Sequence, residues 1–309
     1  MPIQDPSSAQ MIAVGPQVAL NIDASIPPAF RATVGSPADQ KRALVTVLNI
    51  GNPNQVPQAM LHTVTGPNGQ QKQVGDLKIP MPSTMAGFVQ SEFDGHARSV
   101  LHTYKGIPFK SWEFEYPQLQ PDGTWTCENV TEHDLNDDYS HTFLTSSGSG
   151  SGMSFEKYLL TGNYLSGEIT HPLLFTLPPR FFGLHDPVNY SYCTGLATMP
   201  LFATAAEGGQ PPASAWGTGV TIYLKTIPLP PLSPQAQRVI RCLQTYGAML
   251  NDRDSAARKP EAVAITGETT VPTAVALELS HAGLNLGHFY VGKIPARYNW
   301  RTKQYPVNS

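Results

Sequence analysis

The sequence has few charges, few cysteines and no long apolar run. Charged residues make up 14% of its 309 residues, against roughly 25% in typical globular chains. The net charge is −3, and no run of lysine and arginine is longer than two residues. Nucleic acids and anionic membranes attract concentrated positive charge, so the composition argues against both as partners.

The cysteine pattern excludes two common site classes. Cys127, Cys193 and Cys242 lie far apart and form no C-x-x-C pair, so neither a zinc ribbon nor a thioredoxin-type motif is present. The disulfide status of the three is left open. The opening residues lack a basic segment, and no later run reaches about 18 apolar residues, so we expect neither a signal peptide nor membrane insertion. The chain is expected to be soluble, either cytoplasmic or a mature exported form.

Turn-forming residues are abundant, with 29 prolines and 26 glycines. They separate short alternating or apolar runs, which is typical of strands joined by turns. The predicted fold is all-β, a jelly-roll or double β-sandwich, with one substantial helix near residues 233–250. Ser233 as N-cap and Pro234 at the first helical position predict where that helix begins.

A Gly/Ser-rich segment, SSGSGSGMS, begins at residue 146. Its composition is typical of a flexible connector, and it is either a natural loop or a laboratory linker. It divides the chain into an N-terminal β-sandwich half (1–145), a connector (146–153) and a C-terminal half (154–309) that contains the helix, unless all three form one continuous domain.

Residues 91–117 carry the first candidate site. On a strand, alternation places Asp94, His96 and Arg98 on one face. A carboxylate beside an imidazole suits general acid–base chemistry or a metal site completed from another strand, and the alternative is an ordinary solvated face. In the WEFEY run, Trp112 is a platform for a sugar ring or part of the core, and Glu113 points the other way.

Two further regions supply candidate residues. Residues 128–141 concentrate acids, among them Asp134, but lack the spacing of an EF-hand, so an acidic surface loop is preferred over a calcium site. His171 precedes a buried-looking run, as a satisfied hydrogen-bonding residue or as a catalytic group. The sequence has no G-x-S-x-G, P-loop or G-x-G-x-x-G motif, and we expect no cofactor and no metal.

Several segments occur in an order that resembles a protein family. They are DGH (94–96), FKSW (109–112), HDL (133–135), TSS (145–147), SGEITHPLLFT (166–176), WGTGVTIYLKT (216–226) and LSPQAQRVIRCLQTYGAML (232–250). The series is similar to a largely uncharacterised, mostly secreted family of bacterial β-rich proteins, over about residues 75–252. The resemblance implies an extracellular, polysaccharide-associated protein but supplies no activity. Lys110 stands where the family has the glutamate of Y-E-x-W.

The sequence therefore favours a carbohydrate-binding or carbohydrate-active protein with a groove lined by Asp, His and Trp. In an enzymatic version, Asp94 and Asp134 are acid and base, and His96 or His171 orients or donates a proton. Trp112, Glu113 and Arg98 contact the substrate. The alternative is a non-enzymatic structural subunit of a capsid, filament or surface layer, whose partner is itself. A third hypothesis is a metal-dependent oxygenase-like β-barrel that uses the histidines.

Overall fold

The structure is a computed structural model. It describes residues 19–26, 30–33, 45–49, 58–65, 71–79, 98–104, 107–115, 118–119, 121–122, 125–126, 129–134, 141–143, 158–183, 192–193, 205–209, 216–253, 262–292 and 298–299. In chain order the strands are β1 (Ala19–Ile26), β2 (Phe30–Thr33), β3 (Val45–Asn49), β4 (Gln58–Thr65), β5 (Gln71–Ile79), β6 (Arg98–Tyr104), β7 (Ile107–Glu115), β8 (Gln118–Leu119), β9 (Trp125–Thr126), β10 (Asn129–Asp134), β11 (His141–Phe143), β12 (Leu173–Leu177), β13 (Tyr192–Cys193), β14 (Thr221–Leu224), β15 (Ala248–Arg253), β16 (Ala262–Glu268), β17 (Phe289–Val291) and β18 (Tyr298–Asn299).

The chain divides into two compact units. Unit 1 comprises Met1–Ile26 and Gly150–Ser309, and unit 2 comprises Pro27–Ser149. Unit 2 is thus inserted in sequence between β1 and the rest of unit 1. The division expected from the sequence places β1 in the N-terminal half (1–145). In the structure β1 pairs in parallel with β16 of unit 1. The Gly/Ser segment itself lies outside the described residues.

Unit 1 contains a mixed six-stranded sheet in the order β1-β16-β12-β15-β14-β17. The β1–β16 and β12–β15 pairs are parallel, and the other three are antiparallel. The near-continuous apolar strand β12 (LLFTL) lies inside the sheet with four of its five residues buried, as expected of a strand covered on both faces. The core around it includes the fully buried Phe175 and Phe182.

Two α-helices occur within the described ranges, α1 (Pro234–Thr245) and α2 (Thr273–His281). The start of α1 is confirmed: the Ser233 side chain accepts a hydrogen bond from the backbone N–H of Ala236, and Pro234 follows it. The predicted extension to residue 250 is wrong, because residues from Ala248 onward form β15. Helix α2 was not predicted. Helix α1 packs against β14, and α2 packs against β1.

Unit 2 contains a second six-stranded sheet in the order β11-β10-β7-β6-β3-β2. Its β2–β3 and β3–β6 pairs are parallel. Unit 2 also contains two antiparallel pairs of consecutive strands, β4–β5 and β8–β9. The described part of the chain is therefore mostly β. In it, no helix is long and apolar enough to cross a bilayer.

Candidate binding site

The residues predicted for the site fall in different parts of the chain. Asp94 and His96 lie outside the described residues. Arg98, Glu113 and Asp134 lie on β6, β7 and β10 of unit 2, and His171 belongs to unit 1. The two groups are therefore described separately.

The strand register relates the unit 2 residues to one another. Arg98 pairs with Phe114, and Asp134 pairs with Lys110. The backbone register therefore places Arg98 and Asp134 on the two strands that flank β7, the strand that carries Trp112 and Glu113.

Trp112 is a buried residue in this structure. Its side chain is only 5% exposed, and the Lys110 ammonium nitrogen lies 5.7 Å from its ring centroid. The preceding Ser111 is fully buried as well, so β7 is covered on both sides at this point. This environment agrees with the interpretation of Trp112 as a core residue, because a ring that stacks on a sugar must present a face to solvent.

His171 is held at the entrance of β12 by contacts on several sides. Its Nδ1–H donates a hydrogen bond to the carbonyl oxygen of Pro172 at 2.8 Å, which fixes the proton on Nδ1 because a carbonyl can only accept. Its ring lies edge-on against Tyr164, with centroids 4.7 Å apart. Burial, and secondarily the charge of Glu268, raise the pKa of the Tyr164 hydroxyl. These contacts favour a structural role for the His171 ring.

The carbonyl oxygen of His171 accepts a hydrogen bond from the thiol of Cys242 on α1, with sulfur and oxygen 3.2 Å apart. Cys242 is a free, buried cysteine in this structure. Burial raises the pKa of its thiol to about 12. At neutral pH the thiol is therefore protonated and a poor nucleophile. Cys242 anchors the loop before β12 to the helix.

The same loop and helix enclose a concavity of about 420 Å³. We call it the Arg/Glu concavity; its lining residues are Gly167, Glu168, Ile169, Arg238, Arg241 and Cys242. Ile169 and Cys242 are buried and form its floor, while Gly167, Glu168 and Arg241 are exposed at its rim. Its volume falls within the roughly 300–1,000 Å³ of small-ligand sites.

Only one of the three charged side chains that line the Arg/Glu concavity bonds to another described residue. The Arg238 guanidinium donates a hydrogen bond to the backbone carbonyl of Leu165. Among the residues that the structure describes, the side chains of Glu168 and Arg241 have neither a hydrogen-bond nor an ion-pair partner. A carboxylate and a guanidinium thus line one depression without neutralising each other, and both are available to a ligand.

Spacing alone gives part of this site. Arg238 and Arg241 are three residues apart on the predicted helix, so they lie on one face, but the sequence assigns that helix a structural role and neither arginine was among the predicted site residues. Glu168 was not singled out, because its approach to α1 depends on a contact between residues 73 positions apart. In the described ranges, no group of three or more His, Cys, Asp or Glu side chains is arranged to hold a metal ion.

No protein-family model, curated protein or solved structure matches the chain. The function is therefore argued from the site itself.

Proposed function

We propose that this protein binds a polysaccharide and that the Arg/Glu concavity of unit 1 is a contact site for it. The observation that carries the proposal is that the Glu168 carboxylate and the Arg241 guanidinium line one depression and have no partner among the described residues. Sugars present many hydroxyl groups that both donate and accept hydrogen bonds. A site with a strong acceptor and a strong donor side by side suits them.

The sequence resemblance supports the same proposal. Two of the segments that carry it, SGEITHPLLFT and LSPQAQRVIRCLQTYGAML, contain every residue that lines the Arg/Glu concavity. These segments are joined by the hydrogen bond from Cys242 to His171, and Arg238 also bonds Leu165, the residue just before the first segment. The motif series and the concavity thus involve the same part of the fold, and the family resemblance implies a polysaccharide-associated role.

The unit 2 residues form the second part of the proposal. Asp94, His96, Arg98 and Asp134 are proposed to line a groove in a jelly-roll or double β-sandwich, with Trp112 beneath it and Glu113 as a further substrate contact. Glycoside hydrolysis requires two carboxyl groups about 5–9.5 Å apart. Asp94 and Asp134 would have to supply that pair, so we propose binding as the primary function and cleavage as an additional activity to be tested.

The alternative function is a structural subunit that assembles with itself. The low proportion of charged residues, 14%, favours it, as does Leu277 on α2, whose side chain is 51% exposed. Assemblies bury apolar surface that a monomer leaves in water. Light scattering after size-exclusion chromatography and negative-stain imaging distinguish the two: a compact dispersed species supports the binding function, and regular particles or filaments support the subunit.

Affinity electrophoresis in gels that contain neutral or acidic polysaccharides tests the binding function. We expect retardation of the wild-type chain by at least one polysaccharide. A Gly167→Val variant should weaken it, because it adds a branched side chain at a residue that lines the concavity. The substitution should be tolerated, since a Cβ at Gly167 meets no atom within 4 Å and the backbone there is extended (φ −131°). Unretarded migration of the wild type in every gel would refute the proposal.

A further inference from the structure

We propose that the Arg/Glu concavity selects an acidic sugar, with its two arginines binding the carboxylate of a uronate unit and Glu168 accepting hydrogen bonds from sugar hydroxyls. This inference rests on the proposed polysaccharide binding and names the class of polysaccharide. It assigns a charged ligand to a protein whose overall charge is slightly negative, so it depends on local arrangement rather than on net charge.

The first element of the site is a guanidinium whose position is fixed. The hydrogen bond from Arg238 to the carbonyl of Leu165 ties the side chain to the turn at Gly162–Ser166. A guanidinium carries five N–H donors, so this bond leaves several of them for a ligand. Because the side chain is already ordered, a ligand that binds Arg238 loses less conformational entropy than one that must immobilise a mobile arginine.

The second element is a guanidinium without a protein partner. Arg241 lies three residues after Arg238 on α1, so both side chains project from the same face of the helix. Arg241 is exposed at the rim, and no described residue pairs with it. Two neighbouring guanidinium groups favour a planar anion with two oxygens, because each arginine can donate parallel hydrogen bonds to a carboxylate.

The third element, Glu168, makes the site specific for a sugar rather than for any anion. One carboxylate against two guanidinium groups leaves a local charge of about +1. The Cys242 thiol adds no negative charge, because burial raises its pKa to about 12. A polyanion without hydroxyl groups beside its charge gains only the arginine contacts and is repelled by Glu168. A uronate offers the carboxylate and the hydroxyls on one ring.

Isothermal titration calorimetry with three probes tests the inference: polygalacturonate, its fully methyl-esterified form and dextran sulfate. The esterified polymer keeps the hydroxyl pattern and loses the charge, and dextran sulfate keeps a high charge without carboxylates. We expect the wild-type chain to bind polygalacturonate about ten-fold more tightly than either of the other two, and its affinity to fall as salt is raised.

Variants of Arg241 provide the matched comparison. Arg241→Gln should weaken polygalacturonate binding about ten-fold while leaving binding of the esterified polymer unchanged. Arg241→Lys, which keeps the charge but not the fork of donors, should fall between the two. The control is Arg180→Gln, which removes the same charge outside the concavity and should bind as the wild type does. The thermal midpoint of Arg241→Gln should not change, because its side chain has no described partner.

The outcomes separate this inference from the proposed function. Equal affinity for polygalacturonate and its methyl ester would overturn carboxylate selection and leave polysaccharide binding in place. Tightest binding to dextran sulfate would also overturn it, in favour of non-specific attraction to anions. Loss of binding in Arg180→Gln as large as in Arg241→Gln would show that overall charge, rather than this site, is responsible. Failure to bind any polysaccharide, these probes included, would refute both proposals.

Discussion

Each of the two helices of unit 1 is followed by a glycine with a left-handed backbone. Replacing each glycine by alanine measures the cost of that backbone separately from the cost of a steric clash of the added methyl group. Gly247 follows α1 with φ +76°, and Gly283 follows α2 with φ +69°. An alanine in this left-handed region costs about 1–2 kcal/mol. At Gly283 that is the whole effect, because an added Cβ meets nothing within 4 Å.

At Gly247 a second cost is added. A Cβ there would lie 2.4 Å from the backbone oxygen of Ile222 and 2.9 Å from Cε1 of Tyr223. The oxygen belongs to the neighbouring strand β14 and cannot move without disturbing the sheet, and overpacking of this kind costs roughly 1–3 kcal/mol. We therefore expect Gly247→Ala to lower the free energy of unfolding by about 3 kcal/mol and Gly283→Ala by about 1 kcal/mol.

Urea denaturation followed by far-ultraviolet circular dichroism measures both losses. The midpoints of the two variants are compared at a common slope, since neither substitution should change the surface exposed on unfolding. Equal losses in the two variants would refute the close contact of Gly247 with β14. A neutral Gly283→Ala would refute the left-handed backbone at that position.

Three further predictions concern unit 1. The Glu278 carboxylate accepts hydrogen bonds from the backbone N–H and hydroxyl of Ser233, at 2.5 and 2.6 Å. Glu278→Ala should therefore lower the free energy of unfolding by about 2 kcal/mol. An unchanged urea midpoint would contradict this link between the helices. Phe175→Ala should lower the free energy of unfolding by about 3–5 kcal/mol in the same assay, because Phe175 is fully buried and packs edge-on against Trp216. A decrease of less than about 1 kcal/mol would contradict its central place in the core. Stability should fall as pH rises above 9.0, the ordinary pKa of a thiol, towards about 12, its value in folded Cys242. In that window the thiol of the unfolded chain releases a proton that the thiol of the folded chain retains. The pKa of Tyr164 is also raised from 10.0, so its titration acts in the same direction. A Cys242→Ala variant should show a shallower fall, measured by thermal melts between pH 8 and 11; a slope equal to that of the wild type would contradict the assignment to Cys242.

Local sequence signals are sufficient to locate the start of α1 but not its end. Ser233 and Pro234 are strong N-terminal signals, and the apolar residues at helical spacing, Ala236, Val239 and Leu243, are buried. Apolar residues continue at helical spacing to Leu250, yet Gly247, with its left-handed backbone, ends the helix. Pairing of Ala248 onward with β12 then replaces helical hydrogen bonds with those of the sheet.

Helix α2 gives a weaker signal in the sequence. Its N-cap is Pro272, which makes no side-chain capping bond. Its apolar residues do not lie on a single face, since Val275 and Leu279 are buried whereas Leu277 is exposed. Periodicity therefore does not separate this segment from a strand or a loop, and its helical state is set by packing against β1.

The order of the strands in the sheets depends on long-range pairing, which the sequence alone does not reveal. The parallel pairing of β1 with β16 joins residues more than 200 positions apart, with Ala19 opposite Ala262, and no local pattern encodes it. The candidate site shows the same limit. The two arginines of α1 follow from helical spacing, whereas the approach of Glu168 requires the tertiary bonds that hold the 165–171 loop to the helix.

Amide hydrogen exchange of the full chain, with and without polygalacturonate, tests the central claim most directly, because it locates the bound sugar within the fold. The account predicts slower exchange at residues 167–169 and in α1, with no such change in Gly167→Val. Protection confined to β6, β7 and β10 would place recognition in unit 2 and contradict the Arg/Glu concavity as the binding site.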